Sequence, residues 1–115
     1  DLYRRGLEGV GGLELPGVPA YPHIHSWHLF IIKVISMGRE RFLQKLSEYQ
    51  IGYGIHFPAG HRLTYIGERY KVKKGELKET ERASTQLVSL PLFPDMKEED
   101  VSYVCEAVRE ILGNE

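Results

Sequence analysis

Apolar and polar positions alternate along the chain in distinct rhythms, and each rhythm predicts an element. In "DLYRRGLEG", Leu2, Tyr3 and Leu7 fall at spacings that predict a short helix, and Gly9 ends it. "VGGLELPGVPAYP" is rich in glycine and proline and predicts an extended connector. "HSWHLFIIKVIS" is a nearly unbroken apolar, β-branched and aromatic run. It is too short to cross a membrane and predicts a central strand covered on both faces. Lys33 is the one charge inside it, and its amine is expected to reach the strand's edge along an apolar stem. "GRERFLQKLSEYQ" sets Phe42, Leu46 and Tyr49 on one face, with Leu43 beside them, and predicts an amphipathic helix packed on the sheet.

"GYGIHF" predicts a short strand that Pro58 stops. From Glu68 to Arg82 the chain is mostly charged with mixed signs, which predicts a solvated loop and helical surface. "TQLVSLPLF" is a third strand candidate, broken by Pro91. The last helix is announced by Asp95 as N-cap and Glu98 three residues on, a capping box. Val101, Val104, Ala107, Val108 and Ile111 make its apolar stripe and Gly113 closes it. The expected fold is α/β in the broad sense (α+β): one domain over residues 1–115, with a small sheet of about three strands flanked by helices.

Composition narrows the partners. Fifteen basic and 16 acidic side chains leave a net charge of −1, so no long-range field holds a polyanion. Neither nucleic acid nor a membrane is expected as a partner. The single cysteine, Cys105, has no internal partner for a disulfide, which suits a reducing cytoplasm. Its apolar helical surroundings make it a buried structural thiol rather than a nucleophile. The chain opens without an initiator methionine and with helical spacing already under way, so it reads as part of something longer.

Five histidines are the main candidate chemistry: His23, His25, His28, His56 and His61. "HIHSWH" invites a zinc site, but alternation sends His28 to the other face from His23 and His25. No Cys, Asp or Glu stands near to complete a tetrahedral set. Histidines hydrogen-bonded to backbone at the mouth of a strand are the expectation there. In "IGYGIHFPAGHRLTYIGERY", Gly52 and Gly54 permit close approach of another group. Pro58, Ala59 and Gly60 turn the chain, and His61 precedes a helical turn holding Tyr65. Spacing alone weighs a polar-ligand pocket and a solvent-facing loop equally. No nucleophile elbow and no phosphate-cradling glycine motif is present.

The series "HSWHLFIIKV", "GYGIHFPAGH", "SLPLFPDM" and a closing amphipathic helix resembles the C-terminal small domain of the DegT/DnrJ/EryC1/StrS family. "DLYRRGLEGVGGLELP" resembles the start of that domain, so the resemblance covers essentially the whole chain. It implies a fold-type-I aminotransferase, a cytoplasmic homodimer that uses pyridoxal 5'-phosphate. Its substrates are implied to be glutamate or 2-oxoglutarate and a nucleotide-linked keto-sugar. "SLPLFPDM" and the "GIHF" to "ERY" series look closest to the branch that builds 4-amino-4-deoxy-arabinose on a uridine diphosphate carrier. The lysines at 33, 45, 71, 73, 74, 78 and 97 match no family lysine motif. The cofactor and its Schiff-base lysine are therefore expected in a large domain outside these residues. Catalytic, cofactor-binding and metal residues are not expected here, and the chain alone is expected to be inactive. The resemblance further implies that the loop from Gly52 to Tyr65 faces the cofactor pocket across a domain cleft and helps hold the sugar. His61 is the first candidate for a substrate contact, Tyr65 the second and His56 the third, with Tyr53 and Phe57 shaping the wall. The alternative is a free-standing α/β binding module without catalysis.

Overall fold

Residues 2–73 and 75–113 are described by a computed structural model of the chain. Helix α1 (Leu2–Leu7) buries Tyr3 and Leu7, and Gly9 follows it at a φ of 73°. It lies on α5 (Glu98–Gly113), whose stripe from Val101 to Leu112 faces the core. The two approach closely because Gly6 has no side chain: a Cβ there would stand 2.5 Å from the Cys105 sulfur. Cys105 is buried as expected, and burial pushes its thiol up from the ordinary range. Arg109 donates to the carbonyl oxygens of Gly6 at 2.7 Å and Glu8 at 3.3 Å, satisfying groups that the end of α1 leaves open.

The sheet has three strands in the order β1 (Leu13–Glu14), β2 (Phe30–Val34) and β3 (Leu87–Leu90), all neighbours antiparallel. The expected count of strands holds, but their identities do not all match. The connector expected from Val10 to Pro22 contributes β1, fixed by Leu13 opposite Val34 and Glu14 opposite Lys33. Glu14 takes the Lys33 amine at 2.9 Å, so the lone strand lysine ends in a cross-strand ion pair at the sheet's surface. The strand expected from "GYGIHF" shrinks to one bridge, Gly54 opposite Ser89. It cannot extend, because Tyr53, Ile55 and Phe57 are all exposed and no buried face anchors a ladder.

The strand expected from "HSWHLFIIKVIS" is shorter, and it is sealed on one face instead of two. Phe30, Ile32 and Val34 are buried while Ile31 and Lys33 are half-buried. Trp27, at a φ of 47°, leaves extended geometry and halts pairing before Phe30. The sealed face joins Val88 and Leu90 with Phe42, Leu43 and Leu46 of α2 (Arg39–Glu48) and the stripe of α5 in one core. The charged stretch forms α3 (Thr64–Tyr70) and α4 (Lys78–Ser84), neither with a fully buried residue. The expected capping box is displaced by two residues. α5 begins at Glu98, and Asp100 accepts the backbone N–H of Lys97 at 2.9 Å, so Asp95 lies in the preceding turn.

Candidate functional site

The segment from Ile51 to Tyr65 is a loop held at four points. The first is the end of α2, where Gln50 adopts a φ of 57°. The N–H of Gln50 bonds the Ser47 carbonyl at 2.9 Å and that of Ile51 bonds the Leu46 carbonyl at 2.9 Å. This is a Schellman closure with glutamine in the left-handed place, and Ile51 and Leu46 both join the core. The second point is Gly54, which exchanges two backbone hydrogen bonds with Ser89, at 3.0 and 2.8 Å. Ser89 pairs with Ile31 and so lies on the face of β3 away from the helices. There its Oγ stands 2.9 Å from His56 Nδ1. The third point is Ala59, which is buried.

The fourth is His61, on a 3₁₀ turn of residues Gly60–Arg62 that leads into α3. Its Nε2 lies 3.3 Å from Glu81 Oε1 on α4, and its side chain is only 10% exposed. Its Nδ1 is buried without a hydrogen-bond partner among the described residues. Between these anchors the apolar and aromatic side chains turn outward: Tyr53 is 44%, Phe57 78% and Tyr65 67% exposed. The His56–Phe57 peptide is cis, with the two rings edge to face.

Tyr53 also lines a groove of about 460 Å³ with Ile51, Pro91, Phe93, Met96 and Tyr103. Neither His61 nor Tyr65 borders that groove. The five sequence-derived candidates thus fall in two neighbourhoods, Tyr53, His56 and Phe57 beside β3, and His61 with Tyr65 at the 3₁₀ turn and α3. His61, ranked first from sequence, has its Nε2 engaged and its ring enclosed, while Tyr65 and His56 present rings to solvent. Two residues of the site escaped sequence reading. Ser89 had a signal, as the one polar residue inside an apolar strand; Glu81 had none, hidden in a run of charges.

The "HIHSWH" stretch behaves as side chains tied to backbone. His23 Nδ1 lies 2.9 Å from the Tyr21 carbonyl oxygen, and His25 Nδ1 accepts the Trp27 N–H at 2.8 Å. Among the described residues no three His, Cys, Asp or Glu side chains gather as a metal site. No helix among them is long and apolar enough to cross a membrane.

Residues 1–109 match the DegT/DnrJ/EryC1/StrS aminotransferase family. The chain belongs to that family. Among curated DegT/DnrJ/EryC1/StrS relatives, a UDP-4-amino-4-deoxy-L-arabinose–oxoglutarate aminotransferase from Shewanella sediminis (strain HAW-EB3) is 45% identical over 120 residues, covering 97% of this chain and 31% of that protein. The chain therefore spans just under a third of that relative's length. Among solved structures, DesV from S. venezuelae has a TM-score of 0.84 at 29% identity, covering 94% of this chain and 28% of that one. The aminotransferase TlmJ from Streptoalloteichus hindustanus has a TM-score of 0.82 at 25% identity, covering 97% and 29%.

Proposed function

We propose that this chain is the C-terminal small domain of a pyridoxal-phosphate-dependent aminotransferase that moves an amino group from glutamate to a 4-keto sugar on a uridine diphosphate carrier. The observation that supports this reading is the 45% identity, over 97% of the chain, to a protein named for that chemistry. The domain's task is recognition. Tyr65, His56 and Tyr53 offer imidazole and phenol groups that hydrogen-bond sugar hydroxyls or phosphate without the desolvation cost of a buried charge. Phe57 fills out the wall, and His61 supports it from the turn that it anchors. The intact protein works as a cytoplasmic homodimer.

The described residues do not fit the cofactor's own site. That site needs an enclosed lysine amine, whereas Lys33 and Lys45 are ion-paired at the surface with Glu14 and Glu48. Lys71, Lys73, Lys78 and Lys97 are exposed. No step of the reaction is assigned to this chain; the cofactor and its lysine belong to the preceding large domain.

The test is an assay of the full-length protein with glutamate and a UDP-linked 4-keto pentose. The expected outcome is 2-oxoglutarate released in step with an amino sugar nucleotide. Failure to release 2-oxoglutarate with this or any other nucleotide-linked keto-sugar would overturn the reading.

A further inference from the structure

Three facts about His61 belong together. Its ring is nine-tenths enclosed, one nitrogen faces a carboxylate 20 residues further along the chain, and the other nitrogen is buried with no partner among the described residues. Buried polar atoms are nearly always satisfied, so an orphan needs a physical account. A carboxylate only accepts hydrogen bonds, so the nitrogen beside Glu81 carries the proton. In the uncharged ring this fixes the Nε2–H tautomer and leaves Nδ1 as a bare acceptor, a lighter burden when buried than an unmet N–H.

Glu81 is well placed to hold that arrangement. On the same helix, Arg82 and Glu79 engage each other at 2.6 Å. Among the described residues the Glu81 carboxylate has the His61 ring as its partner, while the Glu81 backbone carbonyl accepts the Ser84 hydroxyl at 2.8 Å. The turn has little freedom once the ring is seated. Gly67 of α3 packs so near that a Cβ there would lie 3.1 Å from the His61 carbonyl oxygen. Leu63 and Arg62 close the 3₁₀ turn by backbone bonds to Gly60 and Ala59, and Tyr65 follows directly in the first turn of α3.

We propose that Glu81 is a positioning residue for the substrate wall: it seats the His61 ring, locks the Gly60–Arg62 turn against α4, and so sets where Tyr65 stands. This rests on the reading of the loop as a sugar-contacting wall. The role is steric and geometric, and Glu81 itself touches no substrate.

Two measurements test it. The first is nitrogen NMR of the 115-residue chain with labelled histidine, which reads the tautomer of His61 directly. A proton on Nε2 is expected in the wild type, and mixed tautomers in Glu81→Ala; a proton on Nδ1 in the wild type overturns the proposal whatever the variants do. The second uses the full-length protein. Glu81→Ala is expected to raise KM for the sugar nucleotide about tenfold, with the glutamate half-reaction and the cofactor's absorbance kept. Glu81→Gln, which retains an acceptor, should recover most of that loss. In a His61→Ala background, Glu81→Ala should change nothing further. Additive losses, or equal losses in both half-reactions, overturn the proposal. The underlying reading fails separately: if His61→Ala and Tyr65→Phe both leave sugar KM unchanged while the Nε2–H tautomer is present, the pair is real and the wall is not a sugar wall.

Discussion

Gly54 sits where any other residue would place a carbon 2.2 Å from Cε1 of the His56 ring. The glycine therefore makes room for a side chain as well as for the backbone bridge to Ser89. Gly54→Ala is expected to push the imidazole off Ser89 and to leave that buried hydroxyl without its partner. The loss of one such bond with the accompanying overpacking should destabilise the fold by about 1–3 kcal/mol, read as a lower urea midpoint with unchanged slope. An unaltered midpoint would show that His56 finds another seat. The glycine was conspicuous in the sequence, but its reason was not, because the reason lies on a strand 35 residues away. His61 teaches the same lesson: a histidine in a Gly- and Pro-rich turn is readable as a candidate, while the carboxylate that engages it is one of many in a charged run.

Elements were legible where their own periodicity decides them. α2 and α5 run with the expected apolar faces, since a stripe repeated over several turns has one solution. β1 was missed because two residues between Gly12 and Pro16 have no period, and partnership with Val34 and Lys33 alone makes them a strand. The "GYGIHF" strand was overread because alternation in sequence does not guarantee that either face is covered. α1 illustrates a contact that no local pattern announces. Its Tyr3 donates a hydrogen bond to the Pro91 carbonyl at 2.7 Å and stacks on Phe30 with ring centroids 4.8 Å apart. Burial, then the neighbouring Cys105 and Asp100, push the phenol above its ordinary range. The folded chain thus keeps that proton to higher pH than the unfolded chain. Stability from Tyr3 is complete below about pH 10, the ordinary phenol value, and declines as pH climbs through the folded one. Tyr3→Phe should lose about 1 kcal/mol at neutral pH and show a shallower alkaline fall in urea midpoint than the wild type. Parallel curves above pH 10 would place the alkaline sensitivity elsewhere, Cys105 being the next group in line.

At the scale of the molecule, the proposed division of labour between this domain and a cofactor-binding large domain turns on the lysines. Every described lysine is ion-paired at the surface or solvent-exposed. Incubating the 115-residue chain with pyridoxal phosphate and reducing with borohydride should give, at most, scattered substoichiometric labelling. One lysine modified to completion, mapped by mass spectrometry, would contradict the division.

The bonds from Arg109 to Gly6 and Glu8 have a consequence for biosynthesis. During translation α1 is made about 100 residues before the guanidinium that bonds its carbonyls, and α5, the surface it packs on, is not yet synthesised when it emerges. Docking of α1 on α5 is therefore open to the nascent domain only once nearly all of it has been made.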